Sequence, residues 1–143
     1  MPKTDNLNPL LADYHVFYQK LRGYHWNVVG PRFFQLHALF EKLYNEVSEH
    51  IDEVAERIRS LDAKPVSTLK GYLEIARLKE DAGAPAPDAM VKNIAADLTA
   101  LTKSVREAAR AAEEGGDVGT ANLLDDIADG QEKTIWMLRS AAA

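Results

Sequence analysis

No cysteine occurs among the 143 residues. That removes disulfides and thiolate metal sites, and it fits a reducing cytoplasm as the place where the chain is expected to work. No run of about 18 apolar residues exists either, so no segment is expected to span a membrane. The opening stretch MPKTDNLNPLL lacks the basic-then-apolar pattern of a signal peptide. Positive charge is in short supply: 17 Lys and Arg stand against 22 Asp and Glu, a formal net charge of −5. This balance argues against a nucleic-acid binder whose folded body is itself basic. Basic tails are lacking too, since the first eight residues hold Lys3 against Asp5 and the closing LRSAAA holds only Arg139. Phosphate attraction from either end is therefore weak, and DNA binding is not expected.

What remains is helical. Composition is ordinary for a soluble globular chain, and the length suits one domain over 1–143 with a short tail at 1–8. Asn8-Pro9 looks like an N-cap followed by a proline at the first helical position. From there Leu10, Tyr14, Phe17, Leu21, Tyr24 and Val28 recur at three- and four-residue steps until Gly30-Pro31 ends the stripe. A second helix is expected from about Arg32 to Leu61, with a core stripe running from Leu36 through Leu43, Val47, Ile51, Val54 and Ile58. Thr68 caps a short helix over Leu69 to Arg77. Two more long helices run from about Asp88 to the EEGG break at 113–116, and from Asp117 or Thr120 past Trp136. Trp136 and Met137 read as core.

The joints are uneven. Gly30-Pro31 and the 113–116 break are tight turns, whereas residues 62–87 form a long crossover with its own small helix. One long connection among four long helices is the ferritin-like form of the four-helix bundle, so the expected fold is all-α with a short extra helix in the crossover.

The second helix carries another ordered face: His37, Glu41, Tyr44, Ser48, Asp52 and Glu56, each three or four residues from the last. A solvated face laced with charge pairs shares this spacing. This one, however, begins with a histidine, carries an aromatic midway and ends with two carboxylates four apart, suited to one cation. Imidazole with carboxylate suits iron, zinc or manganese. Within one chain the site cannot close, because fifteen residues of continuous helix put His37 and Asp52 about 22 Å apart. Two such helices packed antiparallel about a two-fold axis, crossing near Tyr44 and Asn45, bring His37 of one subunit beside Asp52 and Glu56 of the other. Each dimer then carries two sites. His25, across the tight turn, can join His37 on the same metal. The Glu-x-x-His motif of sites buried inside a single bundle is missing: Ala12, Arg22, Phe34 and Val47 stand three positions before the four histidines.

HWNVVG (25–30), FxxLHxxFExLY (33–44) and DEVAERI (52–58) resemble the signature of the Dps family, the mini-ferritins, and the similarity extends through TIWML (134–138). The resemblance implies a hollow cage of twelve subunits built from two-fold dimers. It implies ferroxidase chemistry, in which Fe(II) is bound between subunits, oxidised with hydrogen peroxide or dioxygen, and stored as ferric mineral, with no organic cofactor. It carries over His25 and His37 as ligands from one subunit, Asp52 and Glu56 as ligands from its partner, and Glu41 as a ligand to a second, weaker iron. Trp26 corresponds to an aromatic that takes up oxidising equivalents, with interface packing as the alternative. Asp117 and Asp126 correspond to pore aspartates, although Asn122 stands where another acid is common, and helix N-terminal carboxylates favoured by the dipole share this pattern. Glu46, Glu49 and Glu53 are candidates for mineral nucleation, with their facing undetermined. His15 and His50 read as surface or interface groups. Two other functions are weighed: a DNA-compacting protein with a secondary iron site, against which the tail charge speaks, and a helical oligomer whose histidines and acids only bond across interfaces.

Overall fold

The computed structural model describes residues 5–143; Lys3 and the rest of the expected tail's first four residues lie outside them. Five helices follow in order: α1 Leu7–Asn27, α2 Phe33–Ser60, α3 Leu69–Ile75, α4 Pro87–Glu114 and α5 Val118–Ala142, with no strand among the described residues. α1 and α2 pair across one tight turn, α4 and α5 across the other, and α1 also packs against α3 and α4. Tyr14, Phe17, Leu21 and Tyr24 of α1 meet Phe40 and Ile58 of α2, Ile94, Leu101 and Val105 of α4, and Leu124 of α5 in one core. The expected ferritin-like bundle with its small crossover helix is the observed architecture.

Both tight turns depend on glycine. Gly30 has φ +118° and Gly116 φ +77°, values that L side chains rarely adopt, so each reverses the chain without strain. At the crossover, Thr68 caps α3 by accepting the Gly71 amide at 3.0 Å. A Cβ on Gly71 would sit 2.6 Å from Val66 Cγ1 and 2.9 Å from the capping hydroxyl, so this cap requires glycine.

Three expectations need correction. α1 begins at Leu7, so Asn8 is not its cap and residues 7 and 8 are not tail. Asn8 instead ties down the crossover, accepting the Val66 amide at 2.9 Å and donating to the Lys64 carbonyl. Pro9 falls within the first turn, where an absent N–H leaves no hydrogen bond unmade. α3 stops at Ile75 rather than Arg77 because the buried Asp13 carboxylate takes the amides of Arg77 (2.6 Å) and Leu78 (3.1 Å) and the Arg77 guanidinium. Trp136 and Met137 are exposed by 57% and 39%. The inward stripe of α5 runs instead through Leu124, Ile127, Gln131, Thr134 and Leu138, and its polar members hid it from an apolar-pattern reading. Gln131 is accommodated because the Tyr14 hydroxyl donates to its carbonyl oxygen while its amide donates to Thr102 Oγ1 at 2.8 Å. Burial, with the nearby charges of Glu53 and Asp13, pushes the Tyr14 phenol far above its ordinary range.

The return leg of the crossover has its own anchor. Tyr24 donates to Asp81 at 2.5 Å and accepts from Asn93 at 3.1 Å. Burial and that carboxylate push the Tyr24 phenol up to about 12. The phenol and the Gly83 amide hold the Asp81 carboxyl below its usual range.

Replacing Asp13 with Ala leaves two crossover amides without their charged acceptor. It should cost about 2 kcal/mol, within the range for hydrogen bonds to charged groups. The check is guanidinium unfolding at fixed protein concentration, together with faster amide exchange at Arg77 and Leu78.

Candidate metal centre

α1 carries His25 near its C-terminus and α2 carries His37 in its second turn; the reversal at Gly30-Pro31 sets them side by side. Their rings stack with centroids 3.7 Å apart and planes 10° from parallel. His25 Nδ1 lies 2.7 Å from the His37 carbonyl oxygen, and His37 Nδ1 lies 2.7 Å from the His25 carbonyl oxygen. A carbonyl only accepts, so each Nδ1 carries the hydrogen, and in the neutral ring each Nε2 presents a bare lone pair. The exchange fixes both tautomers and both ring orientations, the service that backbone carbonyls give to metal-binding imidazoles. Phe33 stacks on His37 at 4.8 Å, and Tyr44 meets His25 edge-on at 5.3 Å.

Glu41, one turn beyond His37, brings Oε1 to 3.6 Å from His25 Nε2. One donor atom from each of His25, His37 and Glu41 falls within 4.8 Å of the others, the one such group among the described residues. Metal–ligand bonds of about 2.1 Å at right angles hold adjacent donors ~3 Å apart, so this spacing fits one cation after a small carboxylate movement. Two imidazoles and a carboxylate form a borderline-hard set suited to divalent iron, zinc or manganese, and three donors leave positions open for other ligands. Buried His25, half-buried His37 and exposed Glu41 grade from core to solvent, so the open side faces outward.

The predicted residues divide into two groups. His25, His37 and Glu41 come together, with Glu41 beside the histidine pair. Asp52 and Glu56 lie exposed further along α2 and touch none of the three within the subunit. Trp26 is exposed by 56%, with the Arg22 guanidinium 4.9 Å from its ring centroid. Tyr44, the aromatic on the ordered face of α2, lines the centre, and behind it lies Arg22, which was not singled out from sequence. The signal for Arg22 is its four-residue spacing from both Tyr18 and Trp26.

Asp117 and Asp126, the expected pore pair, have different surroundings. Asp117 is buried as the N-cap of α5, accepting from the Thr120 amide and hydroxyl and pairing with Arg57 at 2.9 Å. Burial raises its carboxyl, but the Thr120 and Arg57 hydrogen bonds outweigh that and hold it below the ordinary carboxylate range. Its carboxylate is thus engaged inside the subunit, and Gly119 leaves room for the guanidinium, which a Cβ there would meet at 2.9 Å. Asp126 is exposed and lines an open groove of about 310 Å³ between α2 and α5 with Glu46, Glu49 and His50. His50 bonds Glu53 at 3.1 Å, and His15 stacks on Tyr72 at 3.8 Å.

Because the folded Asp117 carboxyl lies below its unfolded value of about 3.9, its contribution is complete above that pH and is lost as pH falls through the folded value. Asp117→Asn should therefore lower stability at neutral pH and flatten the acid-unfolding profile below about pH 4; thermal melts across pH 2 to 7 check this.

The family described as the ferritin-like domain matches residues 4–143. The DNA protection during starvation protein of Brevibacillus brevis is 43% identical over 134 residues, covering 94% of this chain and 90% of its own. The protein of the same name from Helicobacter pylori is 34% identical with both chains fully covered. Among solved structures, the Dps protein of Vibrio cholerae O1, described as a member of a broad superfamily of ferritin-like diiron-carboxylate proteins, superposes with a TM-score of 0.96 at 40% identity. That match covers 99% of this chain and 89% of the other. With the bundle, the crossover helix and the paired histidines in place, the chain belongs to the Dps family of ferritin-like proteins.

Proposed function

We propose that the protein is an iron-oxidising and iron-storing cage whose ferroxidase sites lie between subunits. The observation that carries this reading is the reciprocal imidazole–carbonyl exchange, which holds two bare Nε2 atoms beside Glu41 on an open side. Fe(II) is the substrate. His25 and His37 bind it, Glu41 supplies a nearby carboxylate, and Asp52 and Glu56 of the partner subunit complete the set across a two-fold axis. Hydrogen peroxide is the preferred oxidant: two Fe(II) each give one electron, the O–O bond breaks, and two protons complete two waters. Hard carboxylate oxygens favour the ferric product. Asp126, with Glu46, Glu49 and His50 on its groove, is the more available acidic surface for iron in transit, since Asp117 is held by Arg57.

The assembly is read as twelve chains working in the cytoplasm; among the described residues no helix is long and apolar enough to cross a membrane. Relatives carry names that refer to DNA protection. At a net charge of −5, removal of iron and peroxide explains such protection here better than wrapping of DNA does.

The first test adds Fe(II) anaerobically, then half an equivalent of peroxide, and follows protein and ferric absorbance by size exclusion. Ferric iron should travel with a particle of roughly 190 kDa, twelve chains of 15.9 kDa. Iron that precipitates while the protein elutes small refutes the storage reading. A complementation test addresses the shared site. His25→Ala/His37→Ala and Asp52→Asn/Glu56→Gln proteins should each be inactive. Unfolded and refolded together, they should recover about a quarter of wild-type initial rate, because half the dimers are mixed and each restores one of two sites. No recovery in correctly sized mixed particles would mean that the ligands are not divided between subunits.

A further inference from the structure

One aromatic ring away from the paired histidines sits a cation with no counter-charge among the described residues of its own subunit. The Arg22 guanidinium carbon lies 4.9 Å from the ring centroid of Trp26, 5.5 Å from Tyr18 and 5.7 Å from Tyr44. Arg22 forms no ion pair among the described residues, and its one side-chain hydrogen bond there is a long one to the Tyr18 hydroxyl at 3.3 Å. Its buried Nε has no hydrogen-bond partner among the described residues. Tyr44 in turn touches His25 edge-on, and Tyr18 meets Tyr44 edge-on at 5.7 Å. A fixed positive charge therefore stands within 5.7 Å of three ring centroids, and one of those rings, Tyr44, touches the metal-binding pair.

We propose that Arg22 is an electrostatic guard: its charge makes Trp26, Tyr44 and Tyr18 harder to oxidise and so protects the lining of the centre. The biological use of this guard rests on the ferroxidase reading; the electrostatic effect does not. When peroxide takes one electron from a single Fe(II) together with one proton, the products are Fe(III), water and a hydroxyl radical. A neighbouring ring that yields an electron converts the radical to hydroxide and is left as a ring cation, which then sheds its N–H or O–H proton. A neutral ring attracts the guanidinium through its negative face, whereas a ring cation repels it. The contact therefore opposes the electron's departure at each of the three rings. This sets Arg22 against the role in which Trp26 gives up electrons readily.

The chain contains its own reference. Within a single subunit its two tryptophans are almost equally exposed, 56% for Trp26 and 57% for Trp136, and no cation stands over Trp136 among the described residues. The assembled, metal-free protein is illuminated with lumiflavin, a neutral photosensitiser that the lost charge would not itself attract. Oxidised Trp26 and Trp136 are then counted by peptide mass spectrometry. The Trp26-to-Trp136 oxidation ratio should rise about two- to thirty-fold in Arg22→Met, the span that corresponds to an exposed or a desolvated cation–π contact. Arg22→Lys should stay near wild type, and Arg22→Gln serves if the Met variant does not assemble. A ratio that is unchanged or lower in a variant of unchanged particle size and near-ultraviolet dichroism overturns the proposal. A second arm replaces light with Fe(II) and peroxide turnover. A variant effect under light but no aromatic oxidation in turnover would count against the metal centre as the oxidant source and leave the guard standing.

Discussion

Two hydrogen bonds of 2.7 Å, each from an imidazole Nδ1 to the carbonyl of the opposite histidine, are the constraint on which the rest of the site depends. They can form only if the chain reverses within a few residues, because the two rings belong to antiparallel helices and must meet face to face. Gly30 supplies the reversal with a backbone conformation that other residues rarely adopt. The same two bonds settle which nitrogen of each neutral ring carries the hydrogen, so tautomer and ring orientation both follow from one turn. A change at this reversal would act on the metal site before it acted on the bundle.

The bundle uses polar anchors where a purely apolar core would leave the connections undefined. Asp13 collects the chain as it leaves α3, and Asn8 holds it on the way in. The Tyr14–Gln131–Thr102 series links α1, α5 and α4 through the core. Asp117 and Arg57 join the start of α5 to α2. Each is satisfied at both ends, which is the condition under which a buried polar group adds specificity without a large desolvation cost. Arg22 departs from that rule. Among the described residues of the subunit its buried Nε is unmatched and its charge faces rings rather than acids, and departures of this kind belong at functional sites more often than in scaffolds.

Charge and exposure divide α2 along its length. Its N-terminal half carries His37 and Glu41 close to His25, while Asp52 and Glu56 project into solvent further on. On the proposed reading, a single subunit holds both parts of a metal site without joining them, and a two-fold partner is the simplest geometry that would join them.

Much of this was legible in the residues themselves. Three- and four-residue spacing of apolar side chains gave the long helices, Gly-Pro and Gly-Gly marked the turns, and the uneven joints implied the ferritin-like connection, because those signals are local and each has a backbone cause. The histidines and carboxylates of α2 were readable for the same reason: a helix turns spacing into a face. What the sequence could not supply was anything that depends on which group reaches which across the bundle. That Asp117 is held by Arg57, that Asn8 bonds the crossover instead of capping α1, that Gln131 is bonded in the core while Trp136 is exposed, and that Arg22 lies over three rings are outcomes mostly of contacts between residues far apart in the chain. Their geometry is decided by packing, and only the tertiary structure could decide it.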